Sequence, residues 1–265
     1  RDDCMDKLKV TSHIKDDDLK IKMYKIVDIC NSVSNSYSLR NTEFLNPYEI
    51  RNAISIINYD KDLEYTIEGG YDDAERAVIF IYPDYYFLEE GDLNLTYLEV
   101  RGSFKFTTVS HRDYLGSLMS LGIKREKIGD ILVHDDYCQM VVHSDIADFI
   151  IYNYNRIKNN KVSVTEIGKS DLKPPKKSYD DKVFSISSLR LDSVIAGAFN
   201  LSRQEASKLI NADLVQVNYE PTNNVSKSVE EGSIISVRKK GKFIFDKVLG
   251  MSKKDKFRVK INKFV

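Results

Sequence analysis

The first sixty residues alternate apolar and polar positions with the period of an α-helix. Asp16-Asp17-Asp18 would cap a helix start, because acidic side chains stabilise the positive end of a helix dipole. Apolar residues then follow at helical spacing, at Leu19, Met23, Ile26, Val27 and Cys30. The polar stretch 31–38 is expected to end this helix, and Pro47 suits the first turn of a second one. We therefore predict a helical region over residues 1–62.

From Leu63 onward the pattern changes to that of strands, with a turn at Gly69-Gly70. From Tyr97 the predicted order is strand, helix, two strands joined as a hairpin, helix and strand, ending near residue 168. This β-α-β-β-α-β order is that of a ferredoxin-like α+β sandwich, which is also the layout of the RNA-recognition-motif domain. The short aromatic motifs on which such domains stack bases are not found. The sequence thus predicts the fold over residues 63–168 without predicting base stacking on it.

A charged segment with paired prolines, residues 169–182, is predicted to be a semi-stiff linker. Residues 183–265 then form a small α+β domain. Its first helix has a core-facing stripe, and its second helix opens with Ser202 and Glu205 in the spacing of a capping box. Strands are expected over 214–218 and 234–237 and from Phe257, so the whole chain is assigned to the α+β class.

Charge is distributed unevenly along a chain whose formal net charge is zero. Residues 1–100 carry 11 Lys/Arg against 21 Asp/Glu, whereas residues 182–265 carry 16 against 8. An excess of this size at one end favours a polyanionic partner for that end. The alternative is a solvated basic surface.

Several cations of the C-terminal region lie where a phosphate could bind. Arg190 precedes the first helix, where a cation gains nothing from the dipole, so Asp192, another acid or a phosphate must compensate it. Arg203 is on the first turn of the second helix, where free backbone NH groups can take an anion. Further cations are Lys208 on that helix and Arg238, Lys239, Lys240 and Lys242 around Gly241. The set fits a phosphate-backbone binder.

The order of Arg190-Leu191-Asp192, Ser202-Arg203, Leu209-Ile210, Val217-Asn218 and Gly232-Ser233-Ile234 resembles the S-four (S4) RNA-binding domain. The resemblance implies that the two helices and the following loop dock on structured RNA. It assigns RNA-facing roles to Arg190, Ser202, Arg203, Lys208 and Asn218. One departure is Asp213, where the family usually has the glycine of a left-handed helix end. Asp tolerates that conformation, but its negative charge puts phosphate binding at this turn in doubt.

Further motifs extend the resemblance over nearly the whole chain. They are Phe44-Leu45-Asn46-Pro47, Gly69-Gly70-Tyr71 with Glu75-Arg76, Tyr82-Pro83-Asp84-Tyr85, His111-Arg112-Asp113-Tyr114-Leu115-Gly116 and the run from Leu121 to Val133. Together with the C-terminal module they are similar to the bacterial YlmH family. The resemblance implies a cytosolic, ribosome-associated RNA-binding protein that acts on obstructed large subunits holding peptidyl-tRNA. It also implies a link to cell division.

Catalytic alternatives have little support in the sequence. His111-Arg112-Asp113 has three letters of a kinase catalytic loop, but no Gly-rich loop or Asp-Phe-Gly accompanies it. A second basic patch is the better interpretation of this region, with a solvated helix end as its alternative. The patch comprises Arg112, Lys124, Arg125 and Lys127.

Metal, hydrolase and RNA-modifying sites were weighed in the same way. Cys138 and His143 are an odd number of residues apart on one strand, so with His134 they match no zinc template. The acids at 72, 73 and 75 are expected to form a surface turn. Pseudouridine synthases also use an Arg-Leu-Asp triplet, but here Arg190-Leu191-Asp192 lies inside the RNA-binding module. An S4 methyltransferase would need a Gly-rich cofactor loop, which is not found.

The leading hypothesis is therefore a non-enzymatic protein that binds ribosomal RNA and tRNA of the large subunit, without cofactor or metal, and is a monomer away from the ribosome. One alternative is an RNA-modifying enzyme with an unrecognised site, and another is a protein-binding scaffold that uses the acidic N-terminal helices. Three widely spaced cysteines, and no apolar run long enough to span a membrane, favour the cytoplasm. A natural start at Met5 without a signal peptide is expected.

Overall fold

The computed structural model describes residues 4–104, 108–176, 178–252 and 254–264. The residues before Cys4, which precede the start expected at Met5, lie outside these ranges, as does Lys177 of the predicted linker. The chain divides into two compact units, one up to Pro175 and one from Lys176 onward. No helix within the described ranges is both long and apolar enough to cross a bilayer.

The N-terminal unit opens with three helices, α1 (Lys7–Val10), α2 (Asp17–Ser36) and α3 (Pro47–Ile57). The Asp16 carboxylate accepts from the Leu19 backbone NH at 2.9 Å and caps α2 as expected. The helix continues through the polar stretch that was expected to end it, because Val33 is buried and the hydroxyls of Ser34 and Ser36 bond to carbonyls one turn earlier.

Strands β1 (Arg40–Asn41), β2 (Leu63–Glu68) and β3 (Val78–Pro83) form a three-stranded antiparallel sheet in the order β1-β3-β2. Ile79 and Ile81 of β3 pack in one core with Met23 of α2 and Ile56 of α3. The prediction that the middle domain begins at residue 63 is therefore wrong. The strands β2 and β3 belong with the N-terminal helices, because alternate residues of β3 bury one face of the small sheet against α2 and α3.

The second sheet has five strands in the order β5-β6-β4-β8-β7, all antiparallel. They are β4 (Leu95–Gly102), β5 (Ile128–Val133), β6 (Tyr137–His143), β7 (Arg156–Ile157) and β8 (Asn160–Ile167). Helices α4 (His111–Ser120) and α5 (Ala147–Asn153) follow β4 and β6 in the chain. This is the ferredoxin-like arrangement, and the prediction of that fold is confirmed. The second helix ends at Asn153, and Arg156 and Ile157 form the short strand β7.

The C-terminal unit is a six-stranded antiparallel sheet in the order β11-β10-β12-β13-β14-β9, with two helices. The strands are β9 (Tyr179–Ile186), β10 (Val215–Val217), β11 (Glu220–Pro221), β12 (Ile234–Val237), β13 (Gly241–Met251) and β14 (Phe257–Phe264). The helices α6 (Leu191–Phe199) and α7 (Arg203–Asn211) bury their apolar faces against Phe243, Phe245, Val259 and Ile261.

The end of the predicted linker is therefore structured. Tyr179 to Lys182 belong to β9, which pairs along its whole length with β14. Lys182 also donates to the carbonyls of Gly197 and Ala198 at 2.8 and 3.0 Å, so a cation closes the negative end of α6. At Gly197 a Cβ would lie 2.1 Å from the Phe184 ring, so only glycine lets α6 pack this closely on β9.

Candidate nucleic-acid interface

One buried carboxylate holds two arginines together at the start of α6. Asp192 is 3% exposed and accepts from Arg203 Nη2 at 2.6 Å and from Arg190 Nε and Nη2 at 3.2 and 3.3 Å. Burial opposes its ionisation, but the hydrogen bonds from Arg190 and Arg203 outweigh burial and hold the pKa of Asp192 below its ordinary value. Asp192 is thus the compensating acid that the position of Arg190 required.

The two guanidinium groups remain accessible although they share one partner. The side chains of Arg190 and Arg203 are 43% and 52% exposed, and two cations face one anion. The first backbone NH groups of α6 are already used, since Leu191 and Asp192 donate to the carbonyls of Lys227 and Val225. An anion at this place would therefore bind the guanidiniums, not the end of α6.

The start of α7 is fixed by the predicted capping box. The Glu205 backbone NH donates to Ser202 Oγ at 3.2 Å, while the Ser202 NH and hydroxyl both donate to Glu205 Oε2 at 2.8 Å. These bonds from Ser202 lower the pKa of Glu205, and Lys240 and Lys208 add to the effect. The Ser202 hydroxyl thus positions Arg203, and two of the predicted cations lie near the same helix start.

The basic turn between β12 and β13 divides into two kinds of cation. Arg238, Lys239 and Lys240 are exposed, and the backbone bends through positive φ at Lys239 (66°) and Gly241 (126°). Lys242 is half-buried, and its Nζ lies 4.7 Å from the Tyr219 ring and 5.1 Å from the Phe264 ring. The turn presents three cations for a phosphate, whereas Lys242 is committed to aromatic contacts.

Asn218 has a structural role besides the one that the resemblance assigns to it. Asn218 and Tyr219 have φ of 52° and 68°, as a two-residue hairpin turn between β10 and β11 requires. The Asn218 backbone NH donates to the Ile234 carbonyl, and its side-chain oxygen accepts from the Ile234 NH at 2.8 Å. The residue therefore holds the turn against β12.

Asp213 occupies the left-handed position that was predicted for it, with φ of 55°. Its NH donates to the Ile210 carbonyl, and the NH of Leu214 donates to the Leu209 carbonyl. These two bonds form a Schellman motif at the end of α7, the position where glycine is usual. The family's glycine is thus replaced by a residue that adopts the same backbone at some energetic cost.

The second predicted patch, in the middle domain, does not present four equivalent cations. Arg112 and Lys124 are exposed. Arg125 is half-buried and donates to the carbonyls of Ile128 and Gly129, and burial together with the neighbouring Arg76 lowers its pKa to about 10. Lys127 is paired with Asp145 at 2.7 Å and with Glu43 at 3.2 Å.

A network that the sequence did not reveal joins the two sheets of the N-terminal unit. Asp130 accepts from the Tyr71 hydroxyl at 2.7 Å and from the backbone NH groups of Glu75 and Arg76 at 2.6 and 3.1 Å. The Arg76 guanidinium donates to the carbonyls of Phe44 and Ile128. Six of the quoted motif residues thus serve this junction: Phe44, Tyr71, Glu75, Arg76, Ile128 and Asp130.

The junction also covers the face of the middle sheet on which RNA-recognition-motif domains stack bases. Helices α4 and α5 pack on one face, where Leu98 and Val100 point. On the opposite face Leu95 and Val141 are buried by Phe44, Val78 and Phe80. Gln139 of this face is covered by the 171–173 segment, because it bonds to the Asp171 carbonyl and the Lys173 NH. The end with Arg101 over the Tyr137 ring, at 4.9 Å, stays open, as do the exposed Ser163 and Thr165 of β8.

The candidate catalytic and metal-binding side chains lie apart from one another. Cys138 faces the helix side of its sheet and His143 packs on Phe44 on the other side, as the spacing predicted. Within the described ranges no three His, Cys, Asp or Glu side chains gather around a possible metal position. A shallow hollow of about 790 Å³ at the open end of the sheet is lined by residues that include Arg101, Asp135, Asp136 and Lys161.

Comparisons with known proteins agree with this architecture. Residues 20–86 match the model described as YlmH, N-terminal, residues 89–171 match the putative RNA-binding domain in YlmH, and residues 189–235 match the S4 domain. The chain resembles the structure of the cell division protein ylmH from Streptococcus pneumoniae, with a TM-score of 0.51 and 22% identity over 57% of this chain and 92% of that one, which shows the fold alone. A relative from Bacillus subtilis (strain 168), the ribosome-associated protein quality control protein P2, is 37% identical over 227 residues, which cover 86% of this chain and 88% of the relative. On these matches, the chain belongs to the YlmH family.

Proposed function

We propose that this protein is a non-enzymatic RNA-binding adaptor that docks on ribosomal RNA and tRNA of the large ribosomal subunit. In this role it takes part in the quality control of obstructed subunits. The observation that carries the proposal is the pair Arg190 and Arg203, held side by side on the buried carboxylate of Asp192. Two rigidly placed guanidiniums fit adjacent phosphate oxygens, which arginine binds in a bidentate manner.

The neighbouring cations extend this pair into a phosphate-binding surface. Lys208 and Lys240 both lie near Glu205 at the start of α7, and Arg238 and Lys239 are exposed in the adjoining turn. The S4 match covers both helices. A relative named as a ribosome-associated quality control protein supports the ribosome as the place where this RNA is met.

The middle domain contributes less in this proposal than its RNA-binding name suggests. The centre of its sheet is buried by the chain itself, so bases cannot stack there. Arg112 and Lys124 remain exposed and are the residues of the second patch that could reach phosphates. We assign them an accessory role.

Sedimentation with purified large subunits, with and without bound tRNA, tests the proposal at low and high salt. We expect co-migration that weakens as salt rises, and that Arg190→Ala and Arg203→Ala each reduce the log–log salt slope by about 1. Arg156→Ala, an exposed arginine of β7, is the matched control and should leave binding unchanged. Equal binding by the wild type and both site variants would contradict the assignment.

The alternative, an RNA-modifying enzyme, has the shallow hollow beside Asp135 and Asp136 as its candidate pocket. Mass spectrometry of RNA from a deletion strain distinguishes the two proposals. A modification that is missing in the deletion strain and restored by the wild type but not by Asp135→Asn would favour the enzyme.

A further inference from the structure

The β13–β14 hairpin continues beyond β12, and the described residues of its turn, 252 and 254–256, have no register partner on β9 either. The strand β12 pairs with β13 only from Gly241 to Ile244, and past Phe245 the residues of β13 have register partners only on β14. The pairing of β14 with β9 ends at Phe257. We call residues 247–252 and 254–258 the hairpin end. It lies outside the segment that matches the S4 domain, which stops at residue 235.

The hairpin end is strongly basic, and its cations are free. Lys247, Lys254, Lys256 and Arg258 are all exposed, and none of them forms an ion pair with another residue in the described ranges. Lys260, two residues further along β14, is instead paired with Asp181 at 2.8 Å and with Asp246 at 3.5 Å. Lys260 is therefore neutralised by carboxylates, whereas the four described cations of the hairpin end are not.

Exposed apolar side chains accompany these cations. Leu249 is 45% exposed and Met251 is 57% exposed, and between them Gly250 has a φ of 130°. Cations that only kept the domain soluble would not require large apolar neighbours on the surface. A folded RNA offers both kinds of contact, since its phosphates bind cations while sugars and unstacked bases present apolar faces.

The described residues of the hairpin turn are joined by local hydrogen bonds. The Ser252 hydroxyl accepts from the backbone NH groups of Lys254 and Lys256 at 3.4 and 3.2 Å, and the Ser252 NH donates to the Lys256 carbonyl at 2.7 Å. Asp255 completes the bend with a φ of 52°. A fixed turn loses less conformational entropy on binding than a flexible basic tail does.

The hairpin end lies at the end of the sheet where β9 leads into α6. Phe257 is paired with Ile186, and only three residues lie between Ile186 and Arg190, a span of at most about 14 Å when fully extended. We propose that the hairpin end is a second RNA-binding element, which contacts the phosphodiester backbone of the same folded RNA as Arg190 and Arg203. The inference rests on the proposed function and adds a contact region to it.

The test compares two charge variants of the full chain, each changed at four exposed cations. The first replaces Lys247, Lys254, Lys256 and Arg258 with Gln, and the control replaces Lys9, Lys15, Lys25 and Lys61 with Gln. The probe is fluorescently labelled bulk tRNA, titrated over a series of salt concentrations. Each lost phosphate contact lowers the log–log salt slope by about 0.7 to 0.9, so the loss of four contacts should lower the slope of the hairpin variant by about 3 to 4 relative to the control.

A second variant, Leu249→Ser with Met251→Ser, separates apolar contact from charge. Its affinity for tRNA should fall several-fold while its salt slope stays that of the wild type. Leu8→Ser with Ile67→Ser, at two exposed apolar positions of the other unit, is the control.

The two proposals fail in different ways. If the hairpin variant binds tRNA like the lysine control while Arg203→Ala binds it more weakly, the proposal for the hairpin end is overturned and the assignment of the arginine pair holds. If the hairpin variant is weakened while Arg190→Ala and Arg203→Ala bind like the wild type, the hairpin end stands and the arginine assignment falls. If the wild-type protein does not bind tRNA, both are overturned.

Discussion

Replacing Asp192 with Asn tests whether RNA binding depends on the geometry of the arginine pair or on charge alone. The substitution keeps the size of the side chain and removes the one anion between Arg190 and Arg203. It also raises the net charge of the C-terminal unit by one. A purely electrostatic surface would bind RNA more tightly after this change, whereas a pre-ordered pair would bind it less tightly.

The structure allows the size of the loss to be estimated. Each arginine that must be ordered again on binding costs about 0.5–1.5 kcal/mol. Ordering two arginines weakens binding, and the added positive charge offsets part of that effect. We expect the free energy of RNA binding to become less favourable by about 1.4 kcal/mol, which corresponds to about tenfold weaker binding. The free energy of unfolding should fall by about 2 kcal/mol, because a buried carboxylate loses charge-assisted bonds whose donors are partly screened by solvent.

The assay is a titration of labelled tRNA at two salt concentrations, with folding checked by hydrogen exchange of the α6 amides. Glu230→Gln is the control, since it adds the same charge at an exposed position in the same unit. Tighter binding by Asp192→Asn than by Glu230→Gln, with the α6 amides still protected, would refute the argument from geometry.

Three further predictions concern stability. Asp213→Gly should raise the unfolding free energy of the C-terminal unit by about 1 kcal/mol in urea denaturation, because glycine adopts the left-handed position without strain, whereas Asp213→Asn should change it little. Asp130→Ala should destabilise the N-terminal unit by about 3 kcal/mol in the same assay, because it leaves the Tyr71 hydroxyl and two backbone NH groups without their acceptor. The affinity of this variant for RNA should not change. Bonds from Lys158 and Ser110 lower the pKa of Asp113 to about 2. The contribution of Asp113 to the free energy of unfolding is therefore complete above about pH 4 and is lost as the pH falls toward 2. Asp113→Asn should flatten this part of the acid unfolding curve.

Local signals in the sequence predicted much of the fold. The capping residues Asp16, Ser110 and Ser202 each begin a helix as their spacing indicates, because a cap depends only on neighbours within one turn. The β-α-β-β-α-β order was also predicted, because the period of apolar residues that marks a strand or a helix is likewise a local property of the sequence. Contacts between distant segments were not predicted, and the assignment of β2 and β3 to the middle domain shows this. An isolated strand with apolar residues on both faces does not reveal which neighbour each face meets.

The candidate site was predicted as a set of cations rather than as an arrangement. The sequence indicated that Arg190 needed a compensating acid, but not that Asp192 would hold Arg203 as well, eleven residues away. Equally, nothing in the order of residues separates Lys242, which lies against two rings, from Lys240, which is exposed. Side-chain partners across a sheet follow from tertiary register, which a single sequence does not contain.

The division of charge between the ends of the chain should limit binding to arbitrary RNA. Residues 1–100 carry an excess of ten acids, and residues 182–265 carry an excess of eight cations. At low salt an RNA is attracted to the C-terminal unit, whereas the acidic residues of the N-terminal unit repel it. Replacing the exposed acids Glu64, Asp72, Asp73 and Asp84 with amides should therefore strengthen binding to random-sequence RNA by about fivefold at low salt, or about 1 kcal/mol in total. The gain should vanish at high salt, where the screening length falls to a few ångströms. An equal gain at both salt concentrations would show that the acids act through folding and not through repulsion.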